Sequence, residues 1–234
     1  MMKRKIFIPI FIIGISACSS DKDSRYFPLN EGKNWQYRVI LHDMDVEKKY
    51  KQYVVNKAPY ELDGKKIFTR EVNDGIRYLY QLTEAGVQRV GVKRKMDINT
   101  THEKEKFYAI KYPIEIGTSW EQETLTGVLE VVIAPFRRHY ALHTPVQMKY
   151  TIESVDETVR VVAGQFENCI LVRGLGATKV EAEKTIGIID VTVQSSDWYC
   201  SDVGLVKSQR DERTSSTVLV KGDFLMELES FSGS

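Results

Sequence analysis

The stretch "YFPLNEGKNWQYRVIL", Tyr26 to Leu41, decides how the rest of the chain is read. Its second half alternates, with Trp35, Tyr37, Val39 and Leu41 on one side and Gln36, Arg38, Ile40 and His42 on the other. Period two is the mark of a strand with one buried face. The first half is an entry into that strand. Pro28 fixes φ and donates no hydrogen bond, which suits an approach rather than a strand interior. Gly32 permits a left-handed bend, and Trp35 is the first large anchor. The phrase returns as "YPIEIGTSW", Tyr112 to Trp120, where Pro113, Ile114, Gly117 and Trp120 answer Pro28, Leu29, Gly32 and Trp35 at a constant offset of 85 positions. Two readings are open: a coincidence of four positions, or two equivalent strand entries opening related halves near residues 26 and 112.

Outward from this phrase, β-prone runs alternate with turn signals. Lys48–Asn56, Lys65–Val72, Ile76–Thr83 and Val87–Arg94 are separated by Asp63-Gly64, Asn73-Asp74-Gly75 and Glu84-Ala85-Gly86. Asp-Gly is a strong hairpin turn, and turns at this spacing describe a meander. Lys93–Lys106 is charged and polar and reads as a solvated loop. Further β-prone runs continue to Phe231. The nearest helix candidate is Phe136–Leu142, behind Pro135, which a helix tolerates only at its start. An antiparallel all-β chain with little helix has two stable forms, two packed sheets or one sheet curled on itself.

The N-terminus is read apart from the fold. Lys3, Arg4 and Lys5 precede an apolar run, Ile6 to Ile15, and then Ser16-Ala17-Cys18. A basic start, a short apolar run and small residues make a secretory signal. Ten apolar residues fall short of the roughly twenty needed to span a bilayer. The Cys after the small residues makes a bacterial lipobox. Residues 1–17 are therefore expected to be removed and Cys18 to carry the lipid, with several acyl chains anchoring firmly where one would not. Residues 18–25 form a polar tether, and 26–234 a single β domain. Ser19, rather than Asp, points to the outer membrane by the sorting rule of enterobacterial lipoproteins, with the domain facing the periplasm. Removal of residues 1–17 takes three of the 33 basic residues and none of the 32 acidic, for a net charge of −2. No basic excess argues for nucleic acid.

Three phrases together carry a resemblance: "YFPLNEGKNWQYRV", "VRVVAGQFENC" and "WYCSDVGLVKS". The chain resembles a family of uncharacterised bacterial secreted proteins and lipoproteins with FPL-x-x-G-x-x-W-x-Y, V-x-V-P-A-G-x-F-x-N-C and W-Y-A-P-G-V-G-L-V-K, over roughly Tyr26 to Lys207. Val162 stands where the family often has Pro. Cys200, Ser201 and Asp202 replace Ala-Pro-Gly between Trp198 and Gly204. Asp tolerates left-handed φ better than most residues, so the turn can survive the change. The resemblance implies a large curved antiparallel sheet, an open half-barrel similar in outline to those of periplasmic lipoprotein carriers. It brings no established activity.

Catalytic signatures are missing. No G-x-S-x-G elbow, phosphate loop or dinucleotide fingerprint occurs, and no cofactor is implied. His139 and His143 are four apart and would share a helix face, but the Glu of a zinc hydrolase motif and a third ligand are lacking. Tyr78 and Tyr80 form a stripe, with Tyr50 and Tyr53 nearby. Such stripes line grooves or simply pack across strands. Cys169 and Cys200 would face an oxidising compartment, where disulfides persist. A reversal midway between them, in "EAEKTIG", would set them opposite each other; two separate buried thiols are the alternative. The expected function is a non-enzymatic, membrane-anchored binding module for an apolar ligand or lipidated partner. The alternative is an accessory or assembly subunit docking on an envelope protein complex.

Overall fold

The computed structural model describes residues 23–43, 46–73, 75–127, 130–133, 138–141, 143–183, 187–216 and 221–233. The signal segment, Cys18 and most of the tether lie outside them. A single 3-10 turn, Ser24–Tyr26, leads into the strands. In chain order these are β1 (Asn34–Asp43), β2 (Val46–Leu62), β3 (Lys65–Val72), β4 (Arg77–Thr83), β5 (Gly86–Lys93), β6 (Thr101–Lys111), β7 (Ser119–Leu125), β8 (Glu130–Ile133), β9 (Arg138–Ala141), β10 (Pro145–Val161), β11 (Gly164–Glu183), β12 (Gly187–Cys200), β13 (Gly204–Thr214) and β14 (Lys221–Ser232).

Twelve strands form one antiparallel sheet in the order β6-β5-β4-β3-β2-β1-β14-β13-β12-β11-β10-β7; β8 and β9 pair apart from it. The all-β, curved-sheet expectation holds. The order is two six-stranded runs placed end to end. The first strand of the first run, β1, joins the last strand of the second, β14, by a ladder from Asn34↔Ser232 to Asp43↔Gly222. The opposite ends, β6 and β7, share no backbone ladder. They meet through side chains: the Tyr108 amide donates to Gln122 Oε1 at 2.9 Å and Lys111 Nζ to the Ser119 carbonyl at 3.2 Å. The sheet is therefore a nearly closed barrel with one seam.

Turn chemistry sets the meander. Asp63 and Gly64 both take positive φ (51° and 70°), the geometry of the tight turn joining β2 to β3. Two sequence expectations shift. Arg138–Ala141, within the helix candidate, is a strand paired with β8, so His139 and His143 share no helix face. The polar loop is shorter than expected because β6 begins at Thr101. Its exposed Lys104 and Lys106 suit an edge strand, where charge discourages pairing with other chains.

The two entry phrases fold alike. The Gly32 amide donates to the Asn56 carbonyl and the Asn56 amide to the Lys33 carbonyl, at 3.0 and 2.9 Å. The Gly117 amide donates to the Ile152 carbonyl and the Ile152 amide to the Thr118 carbonyl, both at 2.9 Å. Gly32 and Gly117 have φ of 79° and 92°, which only glycine adopts freely. Trp35 then pairs with Val54 on β2, and Trp120 with Tyr150 on β10. Each indole is the second residue of its strand and is buried, 2% and 7% exposed.

Candidate functional site

One end of the barrel is sealed by a knot of the three phrases that carry the family resemblance. Trp35 Nε1 donates to the Val203 carbonyl at 2.7 Å and the Tyr37 hydroxyl to the Leu205 carbonyl at 2.9 Å, tying β1 to the β12–β13 turn. Cys169 and Cys200 face each other across β11 and β12 and form a disulfide. A loop of this separation, 31 residues, contributes about 3–4 kcal/mol in the chain-entropy description. The Ala163 amide donates to the Leu228 carbonyl, and Phe166 packs on Phe231. Asp202 takes a φ of 64°, so the turn tolerates Asp at this position. Gly204 lies against Pro28: an added Cβ would stand 3.0 Å from the proline ring. Trp198 is half-buried beneath the Lys207 ammonium. These contacts are architectural.

The segment before Trp35 crosses this end as a strap and sends Phe27 inward. Phe27 is 6% exposed and packs on Tyr80 and Tyr199, with centroids 5.0 and 6.4 Å away. Below it lies Arg70, on β3. Its guanidinium carbon sits 4.1 Å from the centroid of Phe27, 4.6 Å from Trp35 and 5.8 Å from Tyr80. Arg70 Nε donates to Asn56 Oδ1 (2.9 Å) and Nη2 to the Pro28 carbonyl (2.8 Å). Among the described residues it has no carboxylate partner. Burial lowers its pKa from the ordinary value, and the groups that act on it electrostatically are the phenols of Tyr80, Tyr37 and Tyr199.

A cavity of about 290 Å³ opens beside Arg70 on the concave side. Every strand of the large sheet except β5 contributes to its wall. Nearly half of the wall is aromatic, including Tyr78 and Tyr80 on β4, Phe107 and Tyr108 on β6, Trp120 on β7, Tyr150 on β10 and Tyr199 on β12. Polar groups are few: Arg70, Asp197, Gln52 and Gln122. Trp120 and Tyr150 stack, with centroids 5.5 Å apart at 17°. Gly174 on β11 makes that stack possible, because a Cβ there would stand 2.7 Å from the Tyr150 ring and 2.4 Å from Ser195 Oγ. The Trp120 indole N–H is buried without a partner among the described residues. Both strands of the seam line the cavity, so the seam is its side wall.

Asp197 stands across the barrel from Arg70, on β12 against β3 in a twelve-stranded round. Its Oδ1 accepts from Ser208 Oγ at 2.6 Å. Burial pushes its carboxyl up to about 6, against the smaller downward pull of that bond and of Arg210. The phenols move upward too: burial raises Tyr150 to about 12 and holds Tyr37 and Tyr199 above the ordinary value as well. They stay protonated at neutral pH and serve as faces and hydrogen-bond donors rather than bases.

The structure thus gathers Pro28, Gly32, Trp35, Trp198, Gly204, Cys169 and Cys200 at the knot. It places Trp120 in the cavity wall, and Pro113 and Gly117 at the entry to β7 beside the strap, where the Ile114 amide reaches Asp23 Oδ2 at 3.4 Å. Of the tyrosines singled out in the sequence, Tyr78 and Tyr80 line the cavity, whereas Tyr50 and Tyr53 are each 50% exposed. Arg70, Asp197 and Gln122 carried no sequence signal. A charged or amide residue at an inward position of a strand is the pattern that would have found them. His143 is exposed, with Nδ1 3.3 Å from the Thr126 carbonyl, and no group of three metal-ligating side chains occurs among the described residues.

No protein-family profile and no curated protein matches the chain, so the family read from the three phrases stands on those phrases alone. Among solved structures it is similar to a candidate lipoprotein of Parabacteroides distasonis, at 15% identity over 88% of this chain and 98% of that one, TM-score 0.45. It is also similar to a candidate exported protein of Bacteroides fragilis with a YmcC-like fold, at 12% identity over 88% and 98%, TM-score 0.40. A third likeness is to a candidate outer-membrane lipoprotein-sorting protein domain of Vibrio parahaemolyticus, at 6% identity over 91% and 88%, TM-score 0.33.

Proposed function

We propose that the chain is a lipoprotein of the bacterial envelope, anchored through Cys18 to the outer membrane and facing the periplasm, and that it works without catalysis as a binding module. The ligand occupies the interior of the barrel. The observation that carries this reading is the cavity of about 290 Å³, walled by aromatic faces with a few convergent polar groups. Pre-formed ligand pockets have this composition, and this one sits at the small end of their range. The lining narrows the sequence expectation from an apolar ligand to an amphipathic one, since Arg70 and Asp197 face the same space. The alternative is an accessory subunit that docks by a sheet edge; the strands it would use are β6 and β7, which share no backbone ladder with each other.

Two measurements test the proposal. Labelling with a palmitate analogue in cells should be lost in Cys18→Ala; unchanged labelling overturns the anchor. For the interior, titration of the protein with the neutral probe phenylpropanol should change tryptophan emission with one-to-one saturation. Ala109→Phe, which fills the cavity from β6, should abolish the response. An Ala109→Phe protein that binds the probe as well as the wild type does removes the interior as the site.

A further inference from the structure

Arg70 is the least explained group in the fold. Arg70 is partly buried, and a cation withdrawn from water in this way normally has a carboxylate partner, because desolvating a charge without one is expensive. Arg70 has none among the described residues. Its carbonyl bond is not a sufficient reason for a charge: the Pro28 carbonyl already accepts from Asn56 Nδ2 at 3.0 Å, as does the Asn30 carbonyl. A neutral donor would hold the strap equally well. The aromatic faces of Phe27, Trp35 and Tyr80 offset part of the cost of burying the cation. They bring no negative charge.

The side chain also lines the cavity. Its hydrogen bonds run from Nε and Nη2, and none runs from Nη1 among the described residues. The end of the guanidinium fork therefore remains for something in the cavity. Resting on the interior reading of function, we propose that Arg70 is an anion subsite, and that the ligand is a small amphiphile whose carboxylate head pairs with the guanidinium while its apolar body lies against the Trp120–Tyr150 stack. The body is short. The cavity volume equals that of about ten water molecules, hence a ligand of roughly ten non-hydrogen atoms. Asp197 on the far wall disfavours a carboxylate at that end and so sets the orientation. Guanidinium stays charged throughout the physiological range, so the subsite needs no protonation event to work.

The test compares phenylpropionate with phenylpropanol, which share ring and chain and differ in charge, by calorimetric titration of the wild-type protein at pH 8. The acid should bind at least tenfold more tightly than the alcohol. That preference should shrink several-fold as salt rises from low to high, because a charge pair reached by solvent is screened. In Arg70→Gln the preference should vanish while binding of the alcohol persists. Arg70→Lys, which keeps the charge but not the fork, should retain part of the preference and guards against a Gln variant that fails to fold. Equal binding of acid and alcohol by the wild type overturns the anion subsite and leaves the interior reading intact. Failure of both probes to bind overturns the interior reading itself.

Discussion

The two six-stranded runs meet twice around the barrel, and the two junctions are built differently. At β1–β14 the meeting is a full backbone ladder, roofed by the strap and pinned by the disulfide knot. At β6–β7 it is a side-chain bridge from Gln122, with a cavity directly behind it. The entry phrases show the same contrast at the scale of one residue. Trp35 and Trp120 arrive by the same bend and the same pair of hydrogen bonds, yet the Trp35 N–H is spent on the Val203 carbonyl and the Trp120 N–H on none of the described residues. One strand entry serves both a seal and a binding wall. What differs is which residues surround the indole afterwards.

The largest expected consequence lies in truncating the two indoles. Trp35→Ala should cost about 4–5 kcal/mol, the upper part of the range for large buried aromatics, because it empties a buried apolar cluster and strips the Val203 carbonyl of its donor. Trp120→Ala should cost less, about 2–3 kcal/mol. Its ring already borders the cavity, and its removal also removes a buried donor that has no partner among the described residues. Urea unfolding of the two variants side by side measures this. Equal losses would mean that the interior at Trp120 is as tightly packed as the seal.

The strand entries, the turns and the disulfide were the legible part of the molecule. Pro, Gly, Trp and Cys act through backbone geometry and covalent chemistry, and such effects recur at fixed spacing along the chain. That is why Gly32, Trp35, Gly117 and Trp120 could be read as strand entries and Asp63-Gly64 as a hairpin. The seam could not be read. Whether β6 pairs with β7 depends on sheet curvature summed over twelve strands, and no local pattern encodes that sum. The site itself was mostly silent for a related reason. Arg70 and Asp197 are charged residues on strands, and on most strands such residues face solvent. Only the register shows that these two turn inward. The Tyr78–Tyr80 stripe was visible, but its two readings, groove and cross-strand packing, separate only once the cavity is seen.

A smaller effect should mark the cavity wall by charge. Asp197 has a folded-state pKa of about 6, above its ordinary 3.8, because burial penalises the carboxylate. Between those values the folded chain holds a proton that the unfolded chain has lost. Stability therefore falls as pH rises through that window and levels off above about 6. A shift of this size corresponds to roughly 3 kcal/mol at most, and less where the cavity hydrates the group. Asp197→Asn keeps an acceptor for Ser208 and removes the charge. The variant should be the more stable protein at pH 8, and its advantage should fade as pH falls toward 4. Unfolding of both proteins at a series of pH values reads the difference directly. An advantage independent of pH would show that Asp197 stays ionised at the ordinary value, in water rather than in the wall.

The smallest effect is the most discriminating, because it changes one hydrogen-bond donor and little else. Phe keeps most of the aromatic body of Trp and loses the N–H. At residue 35 that loss leaves the Val203 carbonyl buried without its indole donor, and Trp35→Phe should cost about 1–3 kcal/mol. At residue 120 the same change removes a donor that has no partner among the described residues. The gain offsets the lost ring volume beside the cavity, and Trp120→Phe should fall within about 1 kcal/mol of wild type. If instead both substitutions cost alike, the Trp120 N–H is engaged in solution. The group engaging it would then have to sit in the cavity, because the described side chains offer no acceptor there. Repeating the Trp120→Phe measurement with saturating phenylpropionate separates the two candidates. A donor that bonds the bound ligand makes the variant lose more of the ligand-induced stabilisation than wild type, whereas a donor that bonds only water leaves that stabilisation unchanged.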